Sequence, residues 1–151
     1  GIHTGGIRAS HFSSASLNDR ANILSFVFFN GKAVIGKLGE LFDLYAELLT
    51  EYKFDDPKRL VEIIRSTKAD MQDSIIPHGN HYVLSRLQSY HSQLGKYNEL
   101  TGGITYYKFI ENLLERAEKN PEEVACCFKA VAELIFPRET MIVNFTSAGE
   151  D

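Results

Sequence analysis

The spacing of apolar residues changes early in this chain, and the change limits which folds the chain can adopt. Residues 7–12 alternate apolar with polar side chains, and residues 21–30 are rich in β-branched and aromatic ones. From Leu38 onward, apolar residues recur mainly at intervals of three and four. Alternation is typical of a β-strand, and the longer interval is typical of an amphipathic α-helix. The sequence therefore predicts an α+β fold in which strands precede a long run of helices.

A small sheet of about three strands is predicted. The first strand covers residues 7–12 and the second residues 22–29, and the loop between them is rich in Ser, Asn and Asp. We expect these two strands to be neighbours in a mostly antiparallel sheet. Residues 21–30 carry apolar side chains on both faces, which indicates a strand buried on both sides. Alternation returns at residues 141–145, which we expect to join the sheet as a third strand.

About five helices are predicted to pack on one face of this sheet. Asp56-Pro57 and Asn120-Pro121 each place a capping side chain directly before a proline at the first helical position. Gly95 is expected to end the third helix, and residues 101–103 are expected to form a turn. The predicted helices cover residues 38–52, 57–75, 81–94, 106–114 and 121–135.

Charge and hydropathy argue against two classes of partner. The chain has 16 basic and 20 acidic residues, a formal net charge of -4, and no basic run. Binding to nucleic acid requires concentrated Lys and Arg, so no nucleic-acid partner is expected. The longest apolar stretches fall short of the roughly 20 residues that cross a bilayer, so no membrane partner is expected.

The two cysteines, Cys126 and Cys127, are adjacent in the sequence. Neighbouring side chains on a helix point in different directions, and a disulfide between them would be strained. We expect both to be buried thiols on the apolar face of the last helix. Free thiols suit a reducing compartment, so a cytoplasmic location is predicted.

Three histidines could form a metal site, but their pattern is weak. His78 and His81 lie three residues apart, and His91 follows ten residues later. The sequence contains neither His-Glu-x-x-His nor His-x-x-Glu-His, the zinc-peptidase signatures. No catalytic, cofactor-binding or metal-binding residue is therefore predicted. A small metallo-hydrolase that uses these histidines is retained as an alternative function.

Tyrosines concentrate in the second half of the chain, around one arginine. Tyr82, Arg86, Tyr90 and Tyr97 combine apolar surfaces with polar tips, a combination that can line a peptide-binding cavity. The same residues could simply pack their rings between helices and expose their hydroxyls. We keep these four as candidate substrate contacts. A stand-alone helical module that binds a peptide or another ligand is a second alternative function.

Several short blocks resemble a known family in their order along the chain. The blocks are Thr-Gly-Gly-Ile at 4–7, Asn-Gly-Lys-Ala at 30–33, Leu-Phe-Asp-Leu at 41–44, Phe-Asp-Asp at 54–56, Ile-Ile-Pro-His-Gly-Asn-His at 75–81 and Tyr-Tyr-Lys-Phe-Ile at 106–110. In this order they resemble the insulinase/pitrilysin family of zinc peptidases, and most closely its presequence-protease and falcilysin branch.

The resemblance implies a hollow, two-halved protease made of four related α+β domains. The first of these domains holds zinc through His-x-x-Glu-His, and this chain resembles the third, which is non-catalytic. Residues 1–151 are accordingly expected to be one truncated domain that lacks the family domain's first strand and helix. The resemblance implies that the zinc of the parent enzyme is bound by another domain, and that this segment carries no cofactor.

The resemblance also implies the partners. The parent degrades short unstructured peptides, and this segment is expected to form part of the chamber wall that contacts them. Its remaining partners are the other domains of the parent. A truncated sheet leaves an unpaired edge, so self-association through that edge is expected as well.

Overall fold

The computed structural model describes residues 4–147 and confirms the α+β class. Within these residues, a two-stranded sheet comes first and six α-helices follow. Short 3-10 helices, Ile35–Lys37 and Arg138–Thr140, precede the first α-helix and follow the last. In chain order the elements are β1 (Thr4–Ala15), β2 (Ile23–Ala33), α1 (Leu38–Thr50), α2 (Pro57–Ile75), α3 (Gly79–Ser89), α4 (Gln93–Gly102), α5 (Ile104–Lys119) and α6 (Pro121–Ile135).

The two strands form a long antiparallel hairpin, as predicted. Ala15 pairs with Ile23 next to the turn, and Ile7 pairs with Gly31 near the open end. The pairing shifts between Thr4 and Ile7, where Gly6 adopts a positive φ of 83°. Glycine reaches this left-handed region without steric cost, which allows the irregularity at that point.

The predicted third strand at residues 141–145 is wrong, because the sheet in residues 4–147 has two strands. Residues 141–147 are irregular and pass beside α1, where the ring of Phe145 lies 5.9 Å from that of Phe42. A strand needs a hydrogen-bonding neighbour as well as alternating side chains. The sequence pattern supplied only the alternation.

Helices α1 and α4 pack on one face of the hairpin, and the other face is open in the described part of the chain. On the covered face, the Tyr45 hydroxyl of α1 donates to the Phe29 carbonyl oxygen at 3.3 Å. A Cβ at Gly31 would lie 2.6 Å from that hydroxyl oxygen, so a glycine lets α1 approach β2. Phe26 and Phe28 are on the opposite face and stay exposed. The prediction that this strand is buried on both sides is therefore wrong for residues 4–147.

A sixth helix, α4, was not predicted. Gly95 was expected to end a helix, but it is the third residue of α4 and is buried. The Ser92 hydroxyl caps α4 by accepting from the Gly95 backbone N–H at 2.9 Å. A Cβ at Gly95 would collide with the carbonyl of Gln88 at the end of α3. The glycine is thus required by the close approach of α3 and α4, and it does not terminate a helix.

The predicted starts of α2 and α6 are confirmed. The Asp56 carboxylate accepts from the Arg59 backbone N–H at 3.0 Å, with Pro57 at the first helical position. The Asn120 side chain accepts from the Glu123 backbone N–H at 3.3 Å, with Pro121 in the equivalent place. Each cap satisfies one backbone donor that the first turn of a helix leaves without a partner.

The hydrophobic core lies among α2, α5 and α6, away from the hairpin. Ala117 is fully buried and Val124 is 1% exposed. Full burial of a side chain such as Val124 contributes about 1.5 kcal/mol or more to the free energy of unfolding. The buried members of this core are Ile64, Ile110, Leu114, Ala117 and Val124.

A row of aromatic rings connects the hairpin to this core. The rings of Phe29 and Phe136 are 5.8 Å apart, and those of Phe136 and Tyr52 are 5.6 Å apart. Tyr52 continues to Phe54 at 5.9 Å, and Phe54 reaches Phe128 of α6 at 6.1 Å. Offset aromatic contacts in this range are attractive, so the row fixes the hairpin to the helices beside α1.

Candidate functional site

Three polar side chains join the hairpin to α4. The His11 Nε2 atom lies 3.1 Å from Ser25 Oγ and 3.3 Å from Tyr97 Oη, and these two hydroxyl oxygens are 2.7 Å apart. Beside this triangle, the Ser13 hydroxyl donates to the Asn98 side-chain oxygen at 2.8 Å. Both strands are therefore attached to α4 through their covered face.

The same triangle contains a serine–histidine pair, which is the arrangement of an activated nucleophile. Such a pair requires a third group that orients the histidine ring. Within residues 4–147, no carboxylate forms a hydrogen bond or ion pair with His11. The geometry is that of a structural junction between sheet and helix.

A buried carboxylate, Glu99, lies at the junction of α3, α4 and α5. Glu99 is 2% exposed. Its carboxylate oxygens accept hydrogen bonds from the Ser85 hydroxyl at 2.8 Å and from the Thr105 backbone N–H at 3.1 Å. The Thr105 hydroxyl also donates to Glu99 Oε1 at 3.2 Å, and the Arg86 guanidinium lies 3.1 Å from the same oxygen. A Cβ at Gly103 would collide with this carboxylate. Glu99 thus caps the first turn of α5, while Arg86 compensates its charge.

The environment of Glu99 keeps the carboxyl ionised. Burial by itself raises its pKa, but the hydrogen bonds from Ser85 and Thr105 and the charge of Arg86 outweigh burial, so the net pKa is lowered. This residue was not among the candidates predicted from the sequence. The one available signal was the Gly102-Gly103 pair that follows it, which the sequence presents only as a turn.

Of the four candidate substrate contacts, Tyr82 and Arg86 lie on α3, Tyr90 directly follows α3, and Tyr97 lies on α4. Three of the four form hydrogen bonds or an ion pair inside the fold. Tyr82 is buried, and its hydroxyl lies 2.6 Å from Ser74 Oγ. Arg86 pairs with Glu99, and Tyr97 belongs to the junction with His11. Tyr90, which follows α3, is 73% exposed. Substrate contact by these four residues stays a prediction, for which Tyr90 has the most accessible ring of the three tyrosines.

The three histidines do not converge on a metal site in residues 4–147. His78 precedes α3 without a side-chain capping bond, His81 packs edge-on against Tyr82 at 5.9 Å, and His91 is exposed after α3. Across the described residues, no group of three or more His, Cys, Asp or Glu side chains is placed to hold a metal ion. The described residues therefore provide no metal site for the metallo-hydrolase alternative.

The prediction of buried thiols is wrong. Cys126 and Cys127 are both free and exposed on α6. The helix buries Val124, Ala125 and Ala132 instead. The apolar face was correctly located, but the cysteines lie beside it.

Two open clefts accompany these features. One, of about 320 Å³, lies between α3, α4 and β1, and His11, His81 and Asn98 are among its lining residues. The other, of about 440 Å³, separates the α1–α2 loop from α6 and is lined partly by Tyr52, Phe54 and Cys126. Among the described residues, neither cleft contains a group of three or more His, Cys, Asp or Glu side chains placed to hold a metal ion.

The outer face of the hairpin carries an apolar surface that we call the open sheet face, defined by Phe12, Leu24, Phe26 and Phe28. These side chains are 52%, 42%, 41% and 45% exposed. Phe12 lies directly opposite Phe26, and both rings are 6.2 Å from the ring of Phe28. The surface is therefore contiguous across both strands.

The described residues form an α+β domain. Its polar clusters, around His11 and around Glu99, connect elements of the fold and have a structural role. The chain belongs to the family described as Peptidase M-16C associated, whose profile matches residues 1–113. Separately, no helix among the described residues is long and apolar enough to cross a membrane.

Relatives of this chain include peptidases. It is 26% identical over 150 residues to Protein HypA of Clostridium perfringens, covering 99% of this chain and 15% of that protein. It is 25% identical over 150 residues to Presequence protease 1, chloroplastic/mitochondrial, of Arabidopsis thaliana. That match covers 99% of this chain and 14% of that protein. It is 25% identical over 140 residues to the mitochondrial Presequence protease of Yarrowia lipolytica. That match covers 91% of this chain and 14% of that protein.

These similarities confirm the resemblance to the insulinase-type family and its presequence-protease branch. The chain spans only 14–15% of the length of these relatives. What the complete relatives do is therefore a basis for a proposal about this chain.

Proposed function

We propose that this chain is a non-catalytic domain of a longer zinc-dependent endopeptidase that degrades short, unstructured peptides. The observation that carries the proposal is the match to a presequence protease over 99% of this chain but only 14% of that relative. The absence of His-x-x-Glu-His from the sequence supports a division of labour in which another domain holds the zinc.

Residues 4–147, the described part of the segment, do not fit a catalytic zinc ion. Such a site uses three protein ligands and one open position. Among residues 4–147, no three suitable side chains converge, and the histidines of the sequence-based alternative are spread over two loops and α3. We therefore assign no step of peptide hydrolysis to this chain.

The proposed role of the segment is to form part of the chamber wall. Its candidate substrate side is the surface of α3 and α4, which carries Tyr90 and the 320 Å³ cleft beside His81. An aromatic ring with a polar tip, such as Tyr90, can bind peptide side chains without sequence specificity. Tyr82, Arg86 and Tyr97 would act mainly by positioning this surface, because their polar groups already have internal partners.

The proposed partners are the peptide substrate and the remaining domains of the parent enzyme. The cytoplasmic location is also proposed, although two relatives have names that place them in mitochondria or chloroplasts. Because the hairpin has unpaired edges in the described residues, isolated residues 1–151 are proposed to self-associate. A clean monomer at high concentration in size exclusion with light scattering would count against self-association.

The complete reading frame around this segment tests the proposed function. The proposal requires His-x-x-Glu-His several hundred residues upstream in the same polypeptide. A frame that begins near Gly1 and ends near Asp151 would instead favour the stand-alone helical binding module.

A further inference from the structure

We propose that the open sheet face is an internal interface of the complete protein, covered by an apolar segment from the remaining polypeptide. This inference rests on the proposed function, because it assumes that the chain is part of a longer peptidase. It goes further by identifying the surface through which this domain docks and the chemistry that the docking segment must have.

The composition of the open sheet face favours burial. Its four apolar side chains lie on one face of neighbouring strands, and each is between 41% and 52% exposed. Contiguous exposed patches of large apolar side chains usually mark an interaction surface in a soluble protein. Aromatic residues are also enriched at the centres of interfaces, where they bury a large area at a low entropic cost.

Within residues 4–147, the helices packed on the hairpin lie on the side opposite the open sheet face. The Tyr97 hydroxyl of α4 contacts His11 and Ser25, and the Tyr45 hydroxyl of α1 contacts the Phe29 carbonyl oxygen. Side chains alternate between the two faces of a strand, so Phe28 points away from these helices. A covering group must therefore come from outside residues 4–147.

The remaining polypeptide is a better occupant than a second copy of this chain. The relatives contain about six times more chain than the part that this sequence matches, since the match covers 14–15% of their length. A segment in the same polypeptide is present at a high effective concentration and needs no separate association step. We therefore expect a strand or helix with aliphatic or aromatic side chains facing Phe12, Phe26 and Phe28.

The flanking residues indicate the edges of this interface. Arg8 and Asn30 form a directly opposed pair, and Ser10 lies opposite Phe28. Arg8, Ser10 and Asn30 are exposed and lie on the same face as the aromatic cluster. An apolar centre with a polar rim is the usual anatomy of a protein interface. The docking segment is expected to place polar or acidic groups towards the Arg8 end.

Cysteine labelling of the complete polypeptide tests the inference. In a background with Cys126→Ser, Cys127→Ser and any other reactive cysteines replaced, Phe28→Cys reports on the open sheet face. Leu17→Cys, at a fully exposed position in the hairpin loop, is the matched control. Labelling by a maleimide should be at least about tenfold slower at position 28 than at position 17, and equally fast at both in urea. Leu24→Cys provides a second probe of the same face if Phe28→Cys impairs folding.

Each alternative occupant gives a different result. Equal native labelling rates at positions 17 and 28, in a protein whose circular dichroism is unchanged, would overturn the proposal. Protection that disappears on dilution to monomer would assign the face to a second copy, and protection that requires added peptide would assign it to substrate; both would overturn it. Because labelling does not depend on peptidase activity, a failure of the proposed function is detected separately by an activity assay.

Discussion

The carboxylate of Glu99, near the end of α4, accepts a hydrogen bond from the backbone N–H of Thr105 in the first turn of α5, at 3.1 Å. A negative charge at a helix N-terminus is favourable because it complements the helix dipole. Through Ser85 and Arg86, the same carboxylate also contacts α3. One side chain thereby fixes three helices of the region proposed to face substrate.

Replacing this carboxylate should destabilise the domain. Glu99→Gln keeps the shape but removes the charge, so Arg86 loses its partner and the hydrogen bonds to a charged acceptor are weakened. We expect the free energy of unfolding to fall by about 2 kcal/mol. Urea denaturation measures the free energy of unfolding of the variant. The control is Glu115→Gln, on the exposed side of α5, which should change the free energy of unfolding little. Equal effects of the two substitutions would contradict the assigned role.

The glycine pair between α4 and α5 provides a sharper comparison. A Cβ at Gly103 would collide with the Glu99 carboxylate, whereas a Cβ at Gly102 meets no atom within 4 Å. Gly103→Ala should therefore lower the free energy of unfolding by about 2 kcal/mol through overpacking. Gly102→Ala should be neutral or slightly stabilising, because alanine favours the helix. Thermal denaturation of both variants decides this, and equal melting temperatures would refute the predicted steric conflict.

The lowered pKa of Glu99 predicts how stability depends on pH. A carboxyl with a lower pKa in the folded state stabilises the fold above its unfolded-state pKa. That contribution is lost as the pH falls through the folded-state pKa. The difference in unfolding free energy between wild type and Glu99→Gln should be largest at neutral pH. It should shrink as the pH falls below 4.5, the ordinary pKa of a glutamate side chain. A difference that stays constant on acidification would show that the charge of Glu99 does not matter.

The junction between hairpin and helix should depend on a single hydroxyl. Tyr97→Phe removes the group that contacts both Ser25 and His11, and it leaves the ring in place. We expect a loss of about 1 kcal/mol in the free energy of unfolding. Tyr90→Phe is the control, because its exposed side chain makes no hydrogen bond within the described residues. Amide hydrogen exchange of β1 and β2 should also accelerate in Tyr97→Phe alone.

Local chemistry made parts of the fold predictable. Asp56-Pro57 and Asn120-Pro121 indicated the starts of α2 and α6, because capping depends on residues that are neighbours in sequence. The hairpin was predictable because an alternating strand and a strand rich in β-branched and aromatic residues are joined by a short polar loop. The insulinase-type family was predictable from short ordered blocks and was confirmed by the family match.

The features that could not be predicted depend on contacts between different elements of the fold. Residues 141–145 have a strand pattern but no pairing partner in residues 4–147. Gly95 has the sequence signal of a helix end, yet the proximity of Gln88 requires a glycine inside α4. The role of Glu99 depends on Ser85 and Thr105, which lie on two other helices. Spacing along the sequence contains none of this information.

The most direct test of the central claim is zinc-dependent peptidase activity, measured on the complete polypeptide and on residues 1–151 in parallel. The substrate is a fluorogenic unstructured peptide, with and without a chelator. We predict that the complete polypeptide cleaves the peptide, that the chelator abolishes cleavage and zinc restores it, and that residues 1–151 are inactive in every condition. Zinc-dependent cleavage by residues 1–151 alone would contradict the assignment of this chain as a non-catalytic domain.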